Sequence, residues 1–383
     1  MIEKFTIENF KKFKKIYLEN LSRINIFVGV NNVGKTTILE AIMGFASGWN
    51  LSSILNLSVW RRFYLAQGNS YQLAELMLNA FNNISENDNL SFTFQGLVNT
   101  TLKKFSHSLI PGQIIASCIP GNNIVVDGTE IVHRQVPVSI PVVAPNTIMV
   151  DTPSQYLGKW IIQSEEGIEK TYELSAPVSF NQFPNEKSFI TAMFHDIFSH
   201  RNESEARKIY SFLINFGVLE EFIEELNKSF SGLKIKSINN IPYSDGTEAP
   251  ISVQFEDNSR RPLYTLGDGL RRWYALLGGM ITLKNSIHCI EEADVTFHYK
   301  AQDLFAVNLK YYTEKFNNQI FMTTHNIEYL NIFLNAIEKS DSNFLKENLR
   351  VITLRDYDDN VKYRILDGLE ALRAIQNELE LRI

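Results

Sequence analysis

The sequence predicts an α/β fold in which a parallel sheet is covered by helices. Three observations predict it. Near the N-terminus an apolar run, a glycine-bearing loop and an apolar-periodic segment follow one another over residues 23–45. The last third of the chain alternates short apolar runs with helical periodicity, the pattern of strands joined by crossover helices. Apolar residues make up 44% and charged residues 21% of the 383, enough for one large packed core or two ordinary ones.

The elements follow in order. Residues 2–7 and 16–18 bracket the basic stretch IENFKKFKKI and read as two strands of a hairpin. RINIFVGV, Arg23 to Val30, reads as a buried strand. TTILEAIMGF, from Thr36, carries Ile38, Leu39, Ile42, Met43 and Phe45 at helical spacing. Leu73–Ile84 reads as helix, Ser91–Val98 as strand, and 123–150 as β-prone runs cut by Pro137, Pro141 and Pro145. Trp160–Gln163 and Lys170–Leu174 read as strands, Arg207–Asn227 as one helical stretch, and 234–238 and 251–255 as strands. The final third reads helix 268–283, strand 286–290, helix 300–316, strand 319–323, helix 326–338, then strands 349–354 and 361–366. No repeat, low-complexity tract or long heptad series interrupts it.

The formal net charge of −6 argues against a protein that coats nucleic acid through bulk charge. The two cysteines, Cys118 and Cys289, lack metal-ligand spacing and read as buried thiols, so a reducing cytoplasm is expected. The N-terminus lacks the apolar core of a secretory signal, and no run approaches the ~18 apolar residues of a membrane span.

Gly29-Val-Asn-Asn-Val-Gly34-Lys35-Thr36 matches G-x-x-x-x-G-K-[ST] at every fixed position. In such a loop glycines let backbone N–H groups turn toward phosphate oxygens, and the following helix adds the positive end of its dipole. Gly29, Asn31, Asn32, Val33, Gly34, Lys35, Thr36 and Thr37 are therefore the candidate nucleotide cradle. Lys35 would reach the β- and γ-phosphates and the Thr36 hydroxyl would ligate Mg²⁺. The bland reading is a chance match in a polar turn; placement between strand and helix disfavours it.

SIHCI, Ser286 to Ile290, is an apolar run that ends in Glu291-Glu292. A carboxylate at a strand tip can hold a magnesium shell, and its neighbour can take a proton from water. Alone, the pair reads more simply as two solvated glutamates. QIFMTTHN then ends a further strand at His325, a residue that alone would read as core or cap. Three strand ends, at 29, 291 and 325, each present phosphate-handling groups, and in a parallel sheet such ends share one edge.

The glycine loop, LGDGLRRWYALL (Leu266–Leu277), CIEEAD and TTHN, in that order, resemble the ABC-type ATPase heads of the SMC, Rad-type, RecF and OLD group. More narrowly they are similar to the stand-alone AAA-type ATP-binding proteins related to OLD, several of which serve in bacterial anti-phage systems. The NFKKFKK opening is similar to the N-F-K-x-F-K start common in that group. The resemblance implies a P-loop NTPase with an ABC-type head: 1–50 as the phosphate-loop part, 51–204 as an inserted β-rich and helical stretch, and 205–383 as the rest of one composite head.

It implies further roles. ATP and Mg²⁺ would sit between two protomers, with Lys35, Glu292 as general base and His325 at the γ-phosphate. Thr36 and Glu291 would hold the metal. Gly267, Asp268 and Gly269 would close over the nucleotide of the opposite chain. Arg271 and Arg272 could contact phosphate or partner carboxylates, or be two solvated arginines. Trp273, Leu276, Leu277, Met280 and Ile281 read as core. Gly267 stands where the group usually has serine, and Glu291 where it has aspartate; both departures imply slow hydrolysis. No Q-loop glutamine is assigned.

Without long coiled coils, a CxxC hook or room for a TOPRIM domain after His325, no built-in nuclease is expected. Asp356, Asp358 and Asp359 read as a hairpin turn. The expectation is a cytoplasmic, homo-oligomeric ATP-gated switch that controls a separately encoded effector, a nuclease or toxin. A RecF-like DNA-binding ATPase is the alternative, to which Lys11, Lys12, Lys14 and Lys15 lend weak support; such a charge run is more often a solvated face.

Overall fold

Apolar residues spaced two or three apart mark the first two strands, the wider steps of β1 falling at a register shift after Ile2 and at Asn9 with φ +55. β1 (Ile2–Phe10) buries Ile2, Phe5, Ile7 and Phe10, and β2 (Phe13–Leu18) buries Phe13, Ile16 and Leu18. They pair antiparallel around a turn at Lys11-Lys12, with Phe10 opposite Phe13. β3 (Ile24–Val28) is buried at every residue, as a strand covered on both faces must be. α1 (Lys35–Ser47) is likewise buried nearly all round, which fits its apolar sequence. The computed structural model describes residues 1–51, 54–55, 77–82, 90–112, 115–116, 125–126, 129–130, 155–176, 186–230, 232–241, 244–245, 247, 249–295, 299–357 and 360–377.

β4 (Ser91–Val98) and β5 (Thr101–Pro111) form a second hairpin, β6 (Val125–Val126) and β7 (Thr129–Glu130) a short separate pair, and β8 (Gln155–Ser164) and β9 (Glu169–Ala176) a third hairpin. All but β6 and β7 join the N-terminal strands in one antiparallel sheet, ordered β2-β1-β4-β5-β8-β9. The middle of the chain therefore completes a sheet that the first residues begin. Of the expected helix 73–84 the structure describes 77–82: it is helical only at Met77 and Leu78, then turns, and Phe81 bridges antiparallel to Phe10. Most of the runs 123–150, with Cys118, lies outside the described residues.

β10 (Ala192–His195) opens the parallel part. The single helical stretch expected over 207–227 is two helices, α2 (Glu203–Asn215) and α3 (Leu219–Ser229). They are parted at Gly217, whose φ of +65 ends the first. A small antiparallel sheet follows, β11 (Ile235–Asn239), β12 (Ser252–Phe255) and β13 (Arg260–Pro262). Then come α4 (Asp268–Thr282), β14 (Ile287–Ile290), α5 (Tyr299–Lys315), β15 (Gln319–Thr324), α6 (Ile327–Ser340) and α7 (Ser342–Asn348). β16 (Leu349–Tyr357), β17 (Asn360–Asp367) and α8 (Gly368–Gln376) end the described chain. β16 and β17 form the expected hairpin; Asp358 and Asp359 of its turn lie outside the described residues.

The second large sheet is ordered β10-β14-β15-β3-β16-β17. β10, β14, β15, β3 and β16 run parallel, and β17 returns antiparallel to β16. One core lies between this sheet, α1 and the antiparallel sheet; its members include Phe27, Phe321, Ile38, Phe45 and Phe94. The other lies beneath α2 to α8 and includes Ile26, Met322, Trp273, Leu276 and Phe333. Among the described residues no helix is long and apolar enough to cross a membrane.

Two buried histidines join β10 to β14. Ser286 Oγ donates to the Leu283 carbonyl, so His288 Nε2 must carry the proton it shares with that oxygen at 2.9 Å. His288 Nδ1 is then an acceptor, and His195 Nε2–H donates to it at 3.0 Å. Burial holds both rings neutral; it pushes His288 down to about 4 and His195 well below its ordinary value. A histidine depressed in the fold binds its proton in the unfolded chain first, so stability is lost on acidification between about 6.5 and about 4. The slope from His288 alone approaches ~1.4 kcal/mol per pH unit. Urea unfolding across that range should show the fall, and His288→Gln should flatten it; equal slopes would exclude His288 as a source.

Candidate nucleotide site

Parallel strands place their C-terminal ends together, and the register fixes which residues meet. Val28 pairs with Thr324, Met322 with Ile290, and Ile290 with His195. The residues that follow, Gly29, His325, Glu291 and Asp196, therefore emerge on one edge.

The loop from Gly29 to Gly34 has the backbone that its glycines permit. Gly29 has φ +151 and Gly34 φ +105, both outside the range L side chains favour. A Cβ at Gly29 would lie 2.7 Å from the Leu354 carbonyl oxygen, and one at Gly34 would lie 2.6 Å from the Phe13 ring. Asn32 also takes a left-handed conformation, which Asn tolerates. Asn31 and Asn32 are exposed, whereas Val33 points into the core. Gly34 caps α1 without a side-chain hydrogen bond, so the helix N-terminus is left to its dipole.

Lys35 is buried and donates to the Gly29 carbonyl at 2.9 Å and the Val30 carbonyl at 3.0 Å. Burial lowers its pKa, opposed by the charges of Glu292 and Asp294. Thr36 Oγ1 donates to Glu291 Oε1 at 2.7 Å. A hydroxyl and a carboxylate oxygen so close supply the hard oxygen donors that magnesium prefers, and both hold to rigid elements, the start of α1 and the end of β14.

Glu292 follows in a left-handed conformation, φ +47. For a residue other than glycine that costs of order 1–3 kcal/mol and persists only when neighbours enforce it. They do. Its N–H donates to Thr323 Oγ1 at 2.9 Å, and the Ala293 N–H donates to the Thr323 carbonyl at 2.8 Å. Arg272 Nη2 donates to the carbonyls of Glu291 and Glu292 at 2.7 and 2.9 Å. The carboxylate meets His325 Nδ1 at 2.5 Å. One ligand atom each of Glu292, Asp294 and His325 lies within 4.8 Å of the others. Asp294 in turn accepts from Thr324, and Asn326 caps α6 through the Tyr329 N–H, which anchors the loop that carries His325.

The expected signature stretch starts α4. Gly267 is exposed at its N-cap, with open space where a Cβ would stand. Gly269 is half-buried. Asp268 pairs with Arg201 at 2.5 Å and Arg271 at 3.1 Å. His200 lies 3.7 Å from Asp268 but is held neutral, pushed down to about 4, chiefly by burial and then by Arg272.

One expectation needs correction. Arg272 is buried, not solvated, and touches the acid pair's backbone. Its position, four before Leu276, lay on the apolar stripe already read as core. The basic hairpin is largely the solvated face expected, with Lys12, Lys14 and Lys15 exposed, though three of its lysines are engaged. Lys11 pairs with Glu40 and Lys15 with Glu8, while Lys12 donates to the Asn32 carbonyl and binds Asp356. Asp196, after the unforeseen strand β10, accepts from the Phe198 and Ser199 N–H groups.

A family model described as "AAA ATPase domain" matches residues 1–106 and 158–363. The chain belongs to that ATPase family. An "ATP/GTP phosphatase" of Helicobacter pylori is 22% identical over 375 residues, covering 89% of this chain and 90% of that one. An uncharacterized protein of Methanocaldococcus jannaschii is 34% identical over 114 residues, 28% of this chain and 49% of that one. Among solved structures, an SMC head bound to the C-winged helix domain of ScpA is 12% identical with TM-score 0.48, over 97% of this chain and 99% of that one. The SMC head domain from Thermotoga maritima is 13% identical with TM-score 0.42, over 95% and 98%. These scores mark a loose likeness; strand order and the family match place this ATPase in the α/β P-loop class. Lys35→Ala should abolish ATP binding by calorimetry, and retained micromolar affinity would count against the cradle.

Proposed function

We propose that this ATPase binds ATP at the shared strand edge and hydrolyses it there slowly. The observation that carries this reading is the 2.7 Å bond from Thr36 to Glu291, which brings the glycine loop and the acid pair to one point. Lys35, released from the loop carbonyls, neutralises the β- and γ-phosphates. Thr36 and Glu291 would hold Mg²⁺, which when bound offsets the charge of the same oxygens. Glu292 takes the proton of the attacking water. His325, already in contact with Glu292, orients that carboxylate and donates toward the γ-phosphate. The Helicobacter pylori relative, an "ATP/GTP phosphatase", supports nucleotide hydrolysis. Glu291 in place of an aspartate, and Gly267 in place of a serine hydroxyl, support a slow step.

The switch reading extends this. Gly267, Asp268 and Gly269 of a second copy close over the nucleotide, so ATP favours the closed oligomer through contacts absent from the open one. The exposed helix start at Gly267 supports it. The output is a separately encoded effector, a nuclease or toxin, in anti-phage defence; that placement rests on the resemblance described above. The engagement of Lys11, Lys12 and Lys15 by acidic or loop partners weighs against the DNA-gripping alternative.

Glu292→Gln should cut turnover by about a hundredfold or more while leaving ATP bound. Light scattering should then show a persistent ATP-dependent oligomer. Turnover equal to the parent would remove Glu292 as the base, and an ATP-loaded monomer would remove the switch.

A further inference from the structure

Arg272 has no evident stabilising reason to be where it is. Its side chain is 2% exposed, on α4 between the half-buried Arg271 and the core residue Trp273. Among the described residues Nε and Nη1 have no hydrogen-bond partner. No carboxylate among the described residues lies within ion-pair distance of it, although Asp294, Asp196 and Glu291 are near enough to act on its charge. A buried guanidinium so poorly satisfied is costly, and an apolar residue of like volume would pack there at less expense. What it does make is specific. One nitrogen donates to two successive carbonyls, those of Glu291 and Glu292.

Those carbonyls flank the strained residue. Glu292 sits at φ +47, and its carboxylate direction depends on that turn. Thr323 holds the two following N–H groups from the other side. The Glu291–Ala293 turn is thus clamped between a guanidinium on α4 and a threonine on β15. Nη2 carries two hydrogens, so the planar guanidinium, held by its burial on α4, sets a single donor nitrogen between the two carbonyls.

We propose that Arg272 is a positioning residue for hydrolysis: through the Glu291 and Glu292 carbonyls it fixes the backbone that aims the Glu292 carboxylate. In this role it acts through those two carbonyls and not by contact with the reacting atoms. The inference rests on Glu292 being the general base. Thr323 is the second half of the same clamp.

The test separates chemistry from binding. Arg272→Ala should lower kcat about tenfold or more, as small misplacements of a catalytic group do. The dissociation constant for a fluorescent ATP analogue should stay within about threefold, the split expected when only the chemical step is affected. Millimolar guanidinium chloride should restore turnover in Arg272→Ala, and urea at the same concentration should not. Arg272→Lys should recover part of the loss. Thr323→Val, nearly isosteric, should reproduce the kcat loss without change in binding. If Arg272→Ala does not fold, Arg272→Lys and Thr323→Val decide. Parent-like turnover in Thr323→Val and in a folded Arg272 variant would overturn the proposal. So would a loss that guanidinium leaves untouched in a folded Arg272→Ala. Glu292→Gln is measured alongside. If it turns over like the parent, the base assignment fails; if it is inactive while the clamp variants are not, only the clamp fails.

Discussion

Five strands that run the same way must end on the same edge, and the chemistry of this protein depends on that constraint. Hydrogen-bond register, not side-chain affinity, brings Gly29, Glu291 and His325 together from positions nearly three hundred residues apart. Each functional segment is a strand end followed at once by a rigid feature: the start of α1 after the glycine loop, the clamped turn after β14, and the Asn326 cap after β15.

Rigidity at this edge comes from an unusual burial of α1. The helix lies between two sheets and is apolar on nearly every side. Its N-terminus, which carries the uncapped N–H groups and Lys35, is thus held from both directions. The N-terminal hairpin adds to this. Phe13 packs against Gly34 so closely that no Cβ fits, and Lys12 bonds the Asn32 carbonyl. The loop is braced by a hairpin whose lysines lent only weak support to a nucleic-acid surface.

Much of this was legible in the sequence where the signal is local. The glycine loop, the acid pair and TTHN each combine an apolar run with a polar stop, and the strands carrying them lie within a residue or two of expectation. What was not legible has physical reasons. In β5, Phe105, His107 and Leu109 face inward, and a histidine in an inward slot breaks the alternation that marks a strand. β10 has only four residues, too few for periodicity. α8 carries a local sign, the Asp367–Glu370 capping box, but too short an apolar stripe after it to mark a helix by periodicity. Arg272 was masked by its charge: reading stripes by hydrophobicity assigns an arginine to solvent, and only the contact with the Glu291 and Glu292 carbonyls reveals otherwise.

The central claim is that one bound triphosphate is surrounded by all three strand ends at once. Ferrous ion substituted for magnesium with ATP, followed by ascorbate and peroxide, cuts backbone near the metal and maps its surroundings in solution. The account predicts ATP-dependent cuts in three separated segments, around 29–36, 291–294 and 323–326. Cuts confined to the glycine loop, or found away from the acid pair and His325, would contradict it.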